Sequence, residues 1–218
     1  MRRPRTQGPP RYLGRSLKGK PAPDGIETFF EVRTRDSELP PEQFARLPRR
    51  PIHIVLDNLR SAFNVGSIFR LADAARAAEV ITCGYTACPP HHKLEQTSLG
   101  TTDSVPWRKF DDTASALTEL RQQSYQLVAV ETARGASLYH RFDYRFPVAL
   151  VLGNEALGVS EAALRMCDAI VEVPMFGYKN SVNVATAAGI VLYDALRHGG
   201  WLDESAAIRP DGTGESGT

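Results

Sequence analysis

Val173-Pro174-Met175-Phe176-Gly177-Tyr178-Lys179-Asn180-Ser181-Val182-Asn183-Val184-Ala185 joins an apolar stretch to a long amphipathic one, and the class of the chain follows from it. Ala169 to Val173 reads as a short buried strand, which Pro174 closes because it has no ladder donor. A glycine-bearing loop follows, and either Ser181 or Asn183 is positioned to cap the next helix. Val184, Ala187, Ala188, Val191, Leu192, Ala195 and Leu196 recur at helical spacing up to Gly199-Gly200. A strand running through such a loop into a capped helix is where parallel α/β proteins hold small ligands, because backbone donors there face outward.

The same alternation extends over the rest of the chain. Ile52 to Leu56 is an almost wholly apolar strand, and Asn58 to Asn64 turns into a helix with Asn64 as the expected N-cap and Val65, Ile68, Phe69 and Ala72 as its buried stripe. Val80 to Cys83, Leu127 to Val130 and Val148 to Leu152 read as further strands. Asp111 to Gln123 and Ser160 to Met166 read as helices. This order predicts an open, mostly parallel sheet with helices on both faces.

The 218 residues suffice for one main domain. Residues 51–200 are expected to form it, with 1–50 a basic arm or extension, partly disordered, and 201–218 a flexible tail. Residues 1–50 hold 12 Lys/Arg against 6 Asp/Glu, and residues 51–218 hold 14 against 19. Seven of the basic residues lie in the first twenty, among prolines and without one acid, which suits an unstructured arm. A nucleic-acid backbone is the natural partner for such an arm, with an idle solvated tail as the alternative. Its prolines oppose the amphipathic helix of a transit peptide. No apolar run is long enough to span a membrane. Cys83, Cys88 and Cys167 form no CxxC pair and read as buried thiols in an intracellular, cytoplasmic protein. His91-His92-Lys93 does not make a metal set, since adjacent histidines present two nitrogens to one ion poorly. RNA contact from an exposed loop suits it better, and no metal is expected.

Three stretches carry the chemistry. Asn64-Val65-Gly66-Ser67-Ile68-Phe69-Arg70 has the form N-x-G-x-x-x-R at a strand-to-helix junction. Leu152-Gly153-Asn154-Glu155-Ala156-Leu157-Gly158-Val159 is a buried strand ending in a loop with two glycines and an acid. The third is the opening stretch, Pro-Met-x-Gly followed by Ser-x-Asn-Val. Taken singly, Asn64 and Ser181 read as caps, Arg70 as a solvated helix residue and Glu155 as a loop acid. In this order and at these separations the three resemble the signature motifs of the SpoU-type (TrmH-like) RNA ribose 2′-O-methyltransferases of the SPOUT superfamily. The resemblance runs from about Ile52 to about Arg197 and departs from the usual pattern at Val182, where the family has Leu.

The resemblance implies a SPOUT-type α/β fold with a deep trefoil knot in its C-terminal part, an obligate homodimer, and S-adenosylmethionine as cofactor. It implies cofactor contacts at Thr132, Leu152, Gly153, Val173, Met175 and Val182. Arg70, Asn64, Glu155, Ser181 and Asn183 take the catalytic positions. Family accounts let the arginine activate the 2′-hydroxyl, sometimes as base. A guanidinium with a pKa above about 12 is a poor proton acceptor, which favours a cationic clamp that fixes a phosphate and the developing alkoxide. Asn64 would hold the ribose or the Arg70 loop, and Glu155 would orient Arg70 or accept a hydrogen bond near the cofactor. The implied function is methyl transfer to a ribose 2′-hydroxyl of structured RNA, with transfer RNA favoured over ribosomal RNA because the body is compact. The alternative is a non-catalytic RNA-binding or chaperone module that keeps the fold. A Rossmann-type enzyme would need a G-x-G-x-x-G turn after the first strand, and that turn is absent.

Overall fold

The computed structural model describes residues 46–202. The N-terminal stretch before residue 46, with its basic first twenty residues, and the tail from residue 203 onward lie outside the described residues. Seven strands form one sheet in the order β3-β2-β1-β6-β4-β7-β5, every pair parallel. They are β1 (Arg50–Asp57), β2 (Ala77–Cys83), β3 (Trp107–Phe110), β4 (Gln126–Val130), β5 (Ser137–Leu138), β6 (Val148–Leu152) and β7 (Ala169–Glu172). The helices are α1 (Ala62–Ala74), α2 (His92–Ser98), α3 (Thr113–Gln122), α4 (Glu161–Met166) and α5 (Val184–His198).

The apolar runs of β1 and β6 are continuous because both faces of the sheet are covered. Ile52, Ile54 and Leu56 point to one side with Leu150 and Leu152, and there they meet Val65, Ile68 and Phe69 of α1 and Val191 and Leu192 of α5. Val55, Val151 and Ala129 point the other way, onto Leu117 and Leu120 of α3 and Ala163 of α4. Successive residues on a strand alternate faces, so one run of sequence serves both layers.

Helix α1 starts earlier than the sequence suggests. Its N-cap is Ser61, whose hydroxyl accepts the amide of Asn64, so Asn64 sits inside the first turn and its side chain is released for other work. Gly66 lets α2 pack close: a Cβ there would lie 2.0 Å from Thr97 Oγ1 and 2.5 Å from the Leu94 carbonyl oxygen. His91 is the N-cap of α2, its Nδ1 accepting the Leu94 amide at 3.4 Å, rather than a bare loop residue.

Both ends of the expected main domain move outward. Arg50 opens β1, and Arg49 donates to the Ala77 carbonyl, so the last residues of the expected arm belong to the body. Trp201, placed at the start of the expected tail, packs edge-on against Phe146 with ring centroids 4.6 Å apart. Among the described residues no helix is long and apolar enough to cross a membrane. Of the three thiols only Cys83 is fully buried.

At the amino-terminal edge of the sheet His53 of β1 is buried against Glu79, 3.2 Å from Nε2. Arg108 of β3 grips the same carboxylate with two bonds of 2.8 and 2.9 Å. Burial alone would raise the Glu79 pKa, but the hydrogen bonds from His53 and Arg108 outweigh it and hold it below the ordinary value.

Candidate functional site

Because all strands are parallel, the carboxyl ends of β1, β4, β6 and β7 emerge on one edge. After β3 the chain crosses to the other side of β1, and such a reversal leaves a crevice at that edge. A cleft of about 680 Å³ opens there. All six positions expected to contact a cofactor, Thr132, Leu152, Gly153, Val173, Met175 and Val182, line it, as do Glu155, Ser181 and Asn183.

The second stretch forms the cleft's tightest turn. The amides and carbonyls of Asn154 and Gly158 pair at 2.9 and 2.8 Å and close a small loop, with Gly158 at φ +71°. Gly153 lies against that pair: a Cβ would stand 2.1 Å from the Gly158 carbonyl carbon and 2.1 Å from the Val159 nitrogen. The buried Asn154 side chain accepts from the amides of Ala156 and Leu157. It donates to the Asn58 carbonyl and to the Tyr85 hydroxyl, which ties the loop to the ends of β1 and β2.

Glu155 projects from this loop towards the start of α1. Its carboxylate accepts from the amides of Arg60 (2.8 Å) and Ser61 (3.0 Å) and from Asn64 Nδ2 (2.8 Å). Desolvation would raise its pKa; the Arg60 amide, the Asn64 side chain and the amides of Glu155 and Ser61 outweigh that and lower it, so it is a carboxylate near neutrality. A negative charge at the first turn of α1 also suits the helix dipole.

The third stretch completes the constellation. Asn183, not Ser181, caps α5, its Oδ1 accepting from the amides of Ala185 and Thr186. Its Nδ2 donates to Asn64 Oδ1 at 3.0 Å. Asn183, Asn64 and Glu155 are therefore one hydrogen-bonded chain, and each comes from a different one of the three stretches. Ser181 and Val182 are exposed on the cleft wall. Arg70 lies nearly two turns beyond Asn64 on α1, and it is exposed. Among the described residues its guanidinium has no ion-pair or hydrogen-bond partner, so Glu155 does not orient it directly.

Two acids escaped the motif reading. Asp57, at the end of β1, is buried and accepts from the Thr113 hydroxyl, from Asn58 Nδ2 and from the Ser160 amide, which fastens the starts of α3 and α4 beneath the site. Glu131 lines the cleft directly after β4. A polar residue closing an apolar strand was the only sequence signal for either. Among the described residues no group of three or more His, Cys, Asp or Glu is placed to hold a metal ion.

Comparison with known proteins gives the family. A family model described as the SpoU rRNA Methylase family matches residues 51–193. The 23S rRNA (guanosine-2′-O-)-methyltransferase RlmB of Ralstonia nicotianae is 32% identical over 147 residues, 67% of this chain and 59% of that protein. The chain thus spans about three fifths of the length of this curated relative. Among solved structures, the SpoU methyltransferase AviRb from Streptomyces viridochromogenes in complex with AdoMet matches with a TM-score of 0.62 at 31% identity, covering 71% of this chain and 63% of that one. The A. aeolicus TrmH/SpoU tRNA modifying enzyme matches with a TM-score of 0.65 at 27% identity, covering 75% and 81%.

Proposed function

The chain belongs to the SpoU rRNA Methylase family, and on that premise we propose that it transfers a methyl group from S-adenosylmethionine to a ribose 2′-hydroxyl of RNA. The carrying observation is the Asn183–Asn64–Glu155 chain, which locks the three signature turns together at the rim of one cleft. The cleft fits the cofactor. Its volume lies within the range of small-molecule sites, and its apolar walls from Val130, Leu152, Val173 and Val182 suit an adenine ring beside loop amides and carbonyls that suit polar groups. Bound there, the cofactor supplies an already activated methyl group, so the work left to the protein is orientation.

Asn64 is fixed at both ends of its amide and holds the start of α1 in register with the cleft. Arg70, exposed on α1 and without a partner among the described residues, would take a phosphate next to the reacting ribose and stabilise the alkoxide as it forms. The proton of the 2′-hydroxyl leaves to phosphate or water, because the guanidinium stays charged. Phe176 and Tyr178, 96% and 101% exposed on the loop beside the cleft, and the neighbouring Lys179 offer stacking faces and a cation of the kind single-stranded RNA uses. Relatives named for ribosomal RNA and for transfer RNA both match, so the proposal is RNA, without the preference for transfer RNA.

Two structural expectations belong to the same proposal. A homodimer is supported by the partly exposed Phe63 of α1 and Tyr193 of α5, on helices packed together where Leu71 meets Gly189. A knotted C-terminal crossing is supported by the position of β6 between β1 and β4, with β7 beyond them. The deciding assay incubates the protein with methyl-labelled cofactor and, separately, transfer and ribosomal RNA, then digests to nucleosides. Label in 2′-O-methylnucleosides of either pool is the expected result. Folded protein that labels neither pool refutes the proposal.

A further inference from the structure

The three signature stretches leave one carboxylate of the cleft without a role. Glu131 follows β4 and spends one bond on each of two loops: Oε1 accepts the Thr132 amide at 2.9 Å and Oε2 the Val159 amide at 2.9 Å. Opposite it, a Cβ on Gly158 would lie 2.3 Å from Glu131 Oε2, so the glycine leaves the space that the carboxylate fills. The side chain pins the wall after β4 to the glycine loop after β6. Both amides need an acceptor, and a carboxylate supplies acceptors on both oxygens, whereas a glutamine supplies only one acceptor oxygen.

Pinning does not use up the group. A carboxylate has about four acceptor positions, and the two amides take two, leaving lone pairs and a negative charge at the wall of the cleft. The other cleft carboxylate, Glu155, is committed to the start of α1, and Lys179 is a cation lining the same cleft, so Glu131 is the acid left to oppose it. The cofactor proposed above carries a fixed positive charge on sulfur. Transfer of the methyl breaks the carbon–sulfur bond, returns its electron pair to sulfur and leaves a neutral thioether.

The geometry points to Glu131 as a positioning residue that holds the two cleft walls together and, through its charge, favours the sulfonium donor over the thioether product. This rests on the reading of the cleft as an S-adenosylmethionine site. The attraction is present before transfer and gone after it, which helps the spent cofactor to leave.

Calorimetric titration of the full chain with S-adenosylmethionine and with S-adenosylhomocysteine tests it, wild type beside Glu131→Gln. The expected result is a loss of affinity for the donor about tenfold larger than the loss for the product, the smaller loss common to both ligands coming from the weakened pin. Equal losses for both ligands would mean that the carboxylate only pins the loops, and unchanged affinities would remove even that; either overturns the inference. The wild type supplies an independent test should the variant not fold, because raising salt narrows a charge-based preference for the donor. Parallel responses of the two ligands overturn the inference. If folded wild type binds neither ligand, the proposed function itself falls, an outcome distinct from a wild type that binds both while the Gln variant keeps their ratio.

Discussion

Replacing Gly153 by Ala is the sharpest probe of the cleft. The added Cβ would stand 2.1 Å from the Gly158 carbonyl carbon, 2.1 Å from the Val159 nitrogen and 2.5 Å from the Gly158 oxygen. Ordinary carbon contacts lie at about 3.5–4.0 Å, so the two backbone segments must part by more than about 1 Å. Nothing there yields cheaply, since all three atoms are main chain. Parting them strains the Asn154–Gly158 pair and the bond from the Val159 amide to Glu131. Overpacking of this kind costs about 1–3 kcal/mol, and weakening one or two hydrogen bonds adds about 1 kcal/mol each, for a total of about 2–5 kcal/mol. For a domain of this size that lowers Tm by about 5–15 °C. The displaced loop is also a cleft wall, so the affinity for S-adenosylmethionine should drop at least about tenfold even well below Tm. Scanning calorimetry and titration calorimetry read the two effects. A variant with wild-type Tm and wild-type cofactor affinity would refute the close approach of the loop and its place in the binding wall.

Arg70→Ala should lower turnover by about a thousandfold, in line with loss of a transition-state charge contact, while cofactor Kd changes by less than about twofold; parallel loss of both would make the residue structural. In a double-mutant cycle, Asn64→Ala and Asn183→Ala should couple by about 0.5–1.5 kcal/mol in urea unfolding, and strictly additive effects would mean that the two amides do not hold one another. The depressed Glu79 carboxyl contributes stability that is present above the unfolded-chain value, near pH 4.3, and lost as pH falls through its lower folded value. The urea midpoint should therefore fall below about pH 4, less steeply in Glu79→Gln, and identical acid profiles would disprove the link. Removing residues 1–20 should weaken RNA binding and flatten its dependence on salt, and an unchanged slope would show the basic arm to be idle.

The sequence exposed the layered sheet because β1, β4 and β6 are buried on both faces and read as unbroken apolar runs. It did not expose β3, Trp107–Phe110, an edge strand whose adjacent charges Arg108 and Lys109 break any apolar alternation, nor the two-residue β5. The signature turns were visible because each demands glycine, asparagine or proline at fixed places. Their convergence was not, since spacing along the chain says nothing of distance across a sheet. Local propensity also placed the start of α1 too late: Asn64 is a good cap by type, but Ser61 takes that role, and the side chain of Asn64 instead donates to Glu155 and accepts from Asn183. Glu131 and Asp57 were passed over because an acid at the end of a strand looks the same whether it faces water or accepts two or three hydrogen bonds from neighbouring loops.

The interior position of β1 has a consequence for how the chain is made. β1 receives β2 on one edge soon after it is synthesised, but its other edge waits for β6, where Ile52 meets Val148 and Leu56 meets Leu152. At about 5–20 residues per second, the intervening stretch takes on the order of 5–20 s to leave the ribosome. For that time a largely apolar strand stands with one side open, a template for pairing with other nascent chains. A message cut short between β3 and β6 would release that bare edge permanently, and its product should aggregate or be degraded rather than accumulate as a stable fragment.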